Sequence, residues 1–248
     1  MKPKLSRGPD RLHLVLMLML TFSTGVVDAV GYLGLDRVFT GNMTGNVVLL
    51  GMAVTGGTGL PILRPALALV FFMLGAALAG RVLRRNTDGW SARTSAALLA
   101  VALGLWALTV FVVLAPVRTE EMYGSITTSA LALVMGIQAA TAKKLKVAEI
   151  TTVVVTSTIT GLAADSRLAG GRGVYWVRRT LAIVLIMLGA VAGAAALHVH
   201  LWLGLAISAV IASAVAAVGH RRYRKDAREA RVEEDAEAAV GAGVGAGR

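Results

Sequence analysis

Six stretches of this chain carry almost no charge: Leu12–Leu35, Ala66–Gly80 with its neighbours, Thr94–Ala115, Ser125–Ala142, Thr180–Leu197 and Leu201–Val218. About 20 apolar residues, coiled as a helix, cross the roughly 30 Å hydrocarbon layer of a bilayer. Such a run must also satisfy its backbone internally, which a helix does. The composition points the same way. Of 248 residues, 56% are hydrophobic and 16% charged, and the mean hydropathy is +0.71. That is more apolar surface than a soluble chain of this size can hide. An all-α membrane protein is expected.

Several function classes fall away on composition. The chain has no cysteine, hence no disulfide, thiolate nucleophile or thiolate metal ligand. His198 and His200 are two residues apart, a poor helical metal pair, so no metal or cofactor is expected. The formal net charge is +11, but the basic residues flank apolar runs. They suit anionic lipid headgroups, so the bilayer is the expected partner and nucleic acid is not.

Between the spans lie two stretches that are too polar and too short to cross. Val38–Val54 reads VFTGNMTGNVVLLGMAV, with three Gly, two Asn and two Thr. Val154–Ala164 reads VVTSTITGLAA and matches it in the pairs Thr40/Thr156, Thr44/Thr160 and Gly45/Gly161. Non-helical backbone cannot face lipid and must line a cavity or be buried in protein. Thr and Asn cap helices, and a helix starting near Thr44 or Asn46 aims its amides and partial positive charge inward. A second helix, starting near Thr158 or Thr160, would aim back. Plain small-residue packing is the competing explanation, but it gives no reason for interruptions at matching places.

Positive charge sets the topology. If both broken stretches enter and leave by one face, Lys2–Arg11, Arg81–Arg93, Lys143–Lys146, Arg167–Arg179 and the tail all fall on one side. Only Arg37, Arg64 and Arg118 fall on the other. Six spans result, with both termini in the cytoplasm of a bacterial inner membrane. A signal peptide cut after Ala29 fits less well, because the apolar run continues past it. The chain then divides into repeat 1, about residues 12–116, and repeat 2, about 124–219. Each has three spans and one re-entrant half-helix, so the second is inserted upside down: an inverted 3+3 repeat. Together they form a single membrane domain over residues 1–220. The tail, 221–248, is basic and then acidic, with an end expected to be disordered. Aligning Gly25 with Gly136 sets Asp28 against Gln138 and Ala139.

Inverted repeats with interrupted helices at matching positions point to a midplane solute site. The candidate binding residues are Asp28, Thr40, Asn42, Thr44, Asn46, Gln138, Thr156, Thr158 and Thr160. Asp28 is an acid within a span, which is costly and usually functional. Proton coupling or solute binding competes with a simpler role as a cap on a helix break. Asp28 lies seventeen residues beyond Arg11, about 25 Å along a helix and thus near the far interface. Gln138 suits either solute contact or a bond between helices. No catalytic set is visible, so enzyme activity is not expected.

FTGNMTGNVVLLG at 39–51, preceded by DAVGY at 28–32, resembles the YoaK-like family of small bacterial integral membrane proteins, a domain of unknown function. GIQAATAKKLKVAEITTVVVTSTITGLAAD at 136–165 resembles its second block, and the likeness runs from about residue 12 to 220. It implies an inner-membrane protein of about six spans and supplies no activity. Family members often have Asn after that Gln, where this chain has Ala139. The facing half-helices are similar in plan to nucleobase and sulfate transporters, an analogy of fold only. The expected function is a secondary transporter or channel for a small polar or anionic solute or ion. A non-transporting scaffold or partner subunit is the alternative. Six spans of this size also suit a homodimer.

Overall fold

The computed structural model describes residues 11–57, 59–84, 89–145 and 155–245, with side chains as far as 232 and at 235. Its regular elements are all helical: α1 (Arg11–Gly34), α2 (Met43–Val54), α3 (Leu63–Leu83), α4 (Ala92–Leu114), α5 (Glu121–Leu145), α6 (Val155–Ala164), a 3₁₀ turn at Arg167–Ala169, α7 (Trp176–Val199) and α8 (Leu201–Gly245). Six of them, α1, α3, α4, α5, α7 and the first part of α8, are long and apolar enough to cross a membrane. The two short ones are the stretches that interrupt the sequence pattern. At 12 residues α2 is about 18 Å long, short of the roughly 30 Å required. Residues 146–154, which hold Lys146 and the first residue of the second broken stretch, lie outside the described region.

Local chemistry explains the boundaries. Ser91 caps α4 by accepting the Thr94 amide at 3.1 Å, and α4 stops at Leu114, with extended Ala115 between it and Pro116. Pro65 sits in the first turn of α3, where a missing N–H costs nothing. Hydroxyls inside the spans bond back along their own helix, Thr21 to the Met17 carbonyl at 3.0 Å and Thr109 to Leu105 at 2.8 Å. Several helices outrun their apolar cores because charged residues are good helix formers. Thus α8 continues through the basic segment to Gly245, with ion pairs Arg222–Asp226 and Lys225–Glu229 along one face.

Glycines set the packing. A methyl group on Gly25 would strike the Ile186 carbonyl of α7, and one on Gly136 would strike the Phe72 carbonyl of α3. In return Gly189 meets the Phe22 carbonyl and Gly75 the Leu133 carbonyl. These are backbone-to-backbone approaches that only glycine permits. The two sets correspond: α1 with α7 repeats as α5 with α3, at equivalent positions. Paired glycines thus seat α1 on α7 and α5 on α3.

The contacts also give helix directions. Gly25 faces Ile186 and Ala190, while Gly34 faces Leu197 and Leu201, so α1 and α7 run the same way. Gly124 lies on Arg64 and Gly136 on Phe72 and Ala76, so α5 and α3 do too. Gly204 meets Val30 and the Ser208 hydroxyl donates to the Ser23 carbonyl at 3.4 Å, so α8 opposes α1. Trp90, before α4, meets Gly219 late in α8, and Phe111 of α4 lies 6.1 Å from Tyr123 of α5, so α4 opposes both. Hence α1, α4 and α7 run one way and α3, α5 and α8 the other. Arg11, Arg84, Arg93, Lys143, Arg179 and Arg221 gather at one end, and Arg37, Arg64 and Arg118 at the other.

Two apolar clusters fill the middle. One joins Val27, Val30, Leu105, Leu131 and Leu205; the other joins Met17, Leu20, Leu98 and Val215. Large apolar side chains also point outward, among them Val70, Met73, Val110, Met187 and Val191. A helix apolar on both faces is what lipid solvent demands.

Candidate functional site

The site begins where α1 ends. Asp36 and Arg37 have φ of 65° and 55°, left-handed values unusual for non-glycine residues, and the Arg37 amide donates to the Tyr32 carbonyl at 3.0 Å. This reverses the chain, which then runs back along α1. The Val38 carbonyl and Thr40 lie on Gly31, where a side chain would collide. Farther along, Asp28 Oδ1 accepts the amides of Thr40 at 3.1 Å, Gly41 at 2.7 Å and Asn42 at 3.4 Å. Three successive N–H groups converging on one point form an anion-binding concavity, and the carboxylate of Asp28 fills it.

From that depth α2 starts. Asn42 is its N-cap, accepting the Gly45 amide at 3.3 Å. Asn46 turns inward and holds both backbone groups of Phe39, accepting its amide at 2.9 Å and donating to its carbonyl at 2.5 Å. The Phe39 ring stacks on Tyr32, centroids 4.8 Å apart. Among the described residues none accepts the amides of Met43 and Thr44, the first two of the helix.

A different device secures α6. Arg179, buried at the start of α7, donates to the Gly161 carbonyl and to Asp165 Oδ2, the latter at 2.7 Å. Both acceptors lie in the last turn of α6 or just after it, where a cation complements the helix dipole. The Thr160 hydroxyl bonds back to the Thr156 carbonyl at 2.9 Å.

Between these parts lies a cavity of about 730 Å³. Its polar lining is Thr24, Asp28, Tyr32, Asn42, Thr44 and Thr156; its apolar lining includes Phe39, Val48, Leu49, Met52, Val155 and Ile186. The first turns described for α2 and α6 thus face one space. Among the described residues Asp28 is its single acid, and no Lys or Arg lines it.

Four of the nine candidate residues line this cavity: Asp28, Asn42, Thr44 and Thr156. Thr40 is wholly buried; its amide serves Asp28, and its hydroxyl meets no described partner. Asn46 is spent on Phe39. Gln138 is buried one layer back, its Nε2 donating to the Thr24 hydroxyl at 3.2 Å and its Oε1 meeting no described partner. Thr158 is buried on another face of α6, and Thr160 is exposed. Sequence reasoning missed Thr24 and Tyr32, which lie four residues before and after Asp28. The i, i+4 spacing puts all three on one helix face, and that signal was available. It also missed Phe39 and Ile186, for which no signal existed. Among the described residues no three His, Cys, Asp or Glu side chains come together.

The matched segment of a family model described as a protein of unknown function (DUF1275) is residues 16–218. It takes in every element around the cavity. A UPF0700 transmembrane protein, YoaK of Bacillus subtilis, is 35% identical over 188 residues, covering 71% of this chain and 80% of the relative. No solved structure shows a significant match. With six apolar helices, the matched model and this likeness, the chain belongs to the DUF1275 family of multi-pass transmembrane proteins.

Proposed function

We propose that the protein is a secondary transporter or channel for a small polar solute, bound in the cavity between the starts of α2 and α6. The observation that carries the reading is that cavity of about 730 Å³, lined by Asp28, Asn42, Thr44 and Thr156 from three elements. In this reading α2 and α6 are re-entrant half-helices and the halves are inverted copies, supported by the opposed senses of the corresponding helices α1 and α5, α3 and α7, and α4 and α8, and by the matching glycine contacts. The basic end faces the cytoplasm of a bacterial inner membrane, and both termini lie there. An anionic solute is the weaker choice, because Asp28 already occupies the amides of Thr40, Gly41 and Asn42. Asp28 is the coupling site if transport is proton-driven. Among the described residues at the cavity no catalytic set is seen.

Flux in proteoliposomes tests this. Thr44→Val and Thr156→Val lower solute flux with the folded yield intact, and Asp28→Asn alters its dependence on a proton gradient. No flux across a panel of small polar solutes would leave the alternative, a membrane scaffold or partner subunit. That reading draws on Asn46, a residue the sequence singles out whose side chain is taken up by the Phe39 backbone and the Met43 sulfur.

A further inference from the structure

A second cavity, of about 510 Å³, lies against the first on the other side of Asp28. The two share Asp28, Tyr32, Phe39 and Ile186 in their linings. The rest of the second cavity is almost wholly apolar, and its outer wall faces the bilayer. Leu33, Met187 and Val191 are 60%, 58% and 61% exposed. It is a groove between α1 and α7 that opens to lipid and ends at a carboxylate.

The chemistry at that end is specific. Asp28 Oδ1 is occupied by three amides, but no described residue donates to Oδ2. The stacked rings of Tyr32 and Phe39 stand beside it, lining both spaces. Among the described residues no Lys or Arg lines either cavity. A carboxylate oxygen next to aromatic rings is the setting that attracts an organic cation, by charge and by the ring quadrupole. The apolar groove accommodates a hydrophobic body, and the bilayer is where such a molecule concentrates.

Taking from the reading above only that Asp28 is a binding residue, we infer that this groove binds a lipophilic organic cation, a ligand distinct from the small polar solute of the neighbouring cavity. It enters from the membrane between α1 and α7, with its charged centre at Asp28 and its apolar part along Ala190 and Val191. Tyr32 and Phe39 form the wall it must pass to reach the space between α2 and α6.

The test uses the full-length protein in phosphatidylcholine nanodiscs, titrated with tetraphenylphosphonium and, separately, with tetraphenylborate, which has the same shape and opposite charge. Saturable phosphonium binding above that of empty nanodiscs is expected, with none for the borate. Asp28→Asn weakens it by roughly tenfold or more. Met187→Trp, on the lipid-facing wall, weakens it while leaving folding intact, and decides the matter if the Asp28 variant does not fold. Equal binding of both ions, or phosphonium binding unchanged in the variants, overturns the inference. Phosphonium binding without flux in proteoliposomes retires transport and leaves this site standing. Flux of a small neutral solute with no saturable phosphonium binding does the reverse.

Discussion

At the scale of single residues, Asp28 is where structure and function compete. Its Oδ1 ends the run of amides before α2, so removing the acceptor strands three donors, two of them on the buried residues Thr40 and Gly41. Asp28→Ala is expected to lower stability by about 1–3 kcal/mol, read as a lower midpoint of thermal unfolding in detergent. Asp28→Asn keeps an acceptor oxygen and is the milder change. Equal loss in both variants would show that charge, and not the acceptor, holds the turn. An acid within an apolar run was legible in the sequence as an oddity. Its partners were not, because they are backbone groups brought to it by the left-handed pair Asp36–Arg37, and of the two residue types only Asp favours that conformation. The same holds for Asn46: the sequence offers an amide side chain, and only the path of the chain puts Phe39 within its reach.

At the scale of elements, the two short helices could be read because Gly, Asn and Thr break the apolar runs before they reach the length of a span. The helix α2 begins at Met43 with Asn42 as its N-cap, where the expected start was near Thr44 or Asn46, since the side chain best placed to accept the Gly45 amide sets the cap. Asn42→Ala removes that cap and is expected to cost about 1 kcal/mol, measured by chemical unfolding. Which helices pair was not legible. The match of Gly25 with Gly136 could be drawn from the sequence, but their partners Gly189 and Gly75 lie in the opposite halves, and no spacing within a helix reports that. Substituting Leu at Gly136 puts a side chain into the Phe72 carbonyl. The expected outcome is loss of the monodisperse peak on size-exclusion chromatography. A normal profile would mean that α3 and α5 can separate.

For the whole molecule, charge and helix direction agree on a common scheme of two ends. The chain has no cysteine, so single cysteines report on each end without background. A Thr119→Cys variant is expected to react with an impermeant maleimide added to intact cells, and Lys225→Cys only after lysis. The opposite pattern would invert the proposed orientation. The count of spans could be read from the sequence because length and polarity alone decide it. The cavity could not, because it is made where parts from residue 24 to residue 186 meet.

The four glycine approaches carry a mechanical meaning. Backbone pressed on backbone leaves nothing to slide, so α1 with α7 and α3 with α5 form struts that hold their spacing. The short helices α2 and α6 touch this scaffolding mainly through α3 and α7, and each is tied at one end, by Asp28 or by Arg179. If the molecule alternates between two shapes, those tethered pieces are the ones free to swing, while the struts stay still. Cross-linking α1 to α7 should then leave flux untouched, and cross-linking α2 to α6 should abolish it.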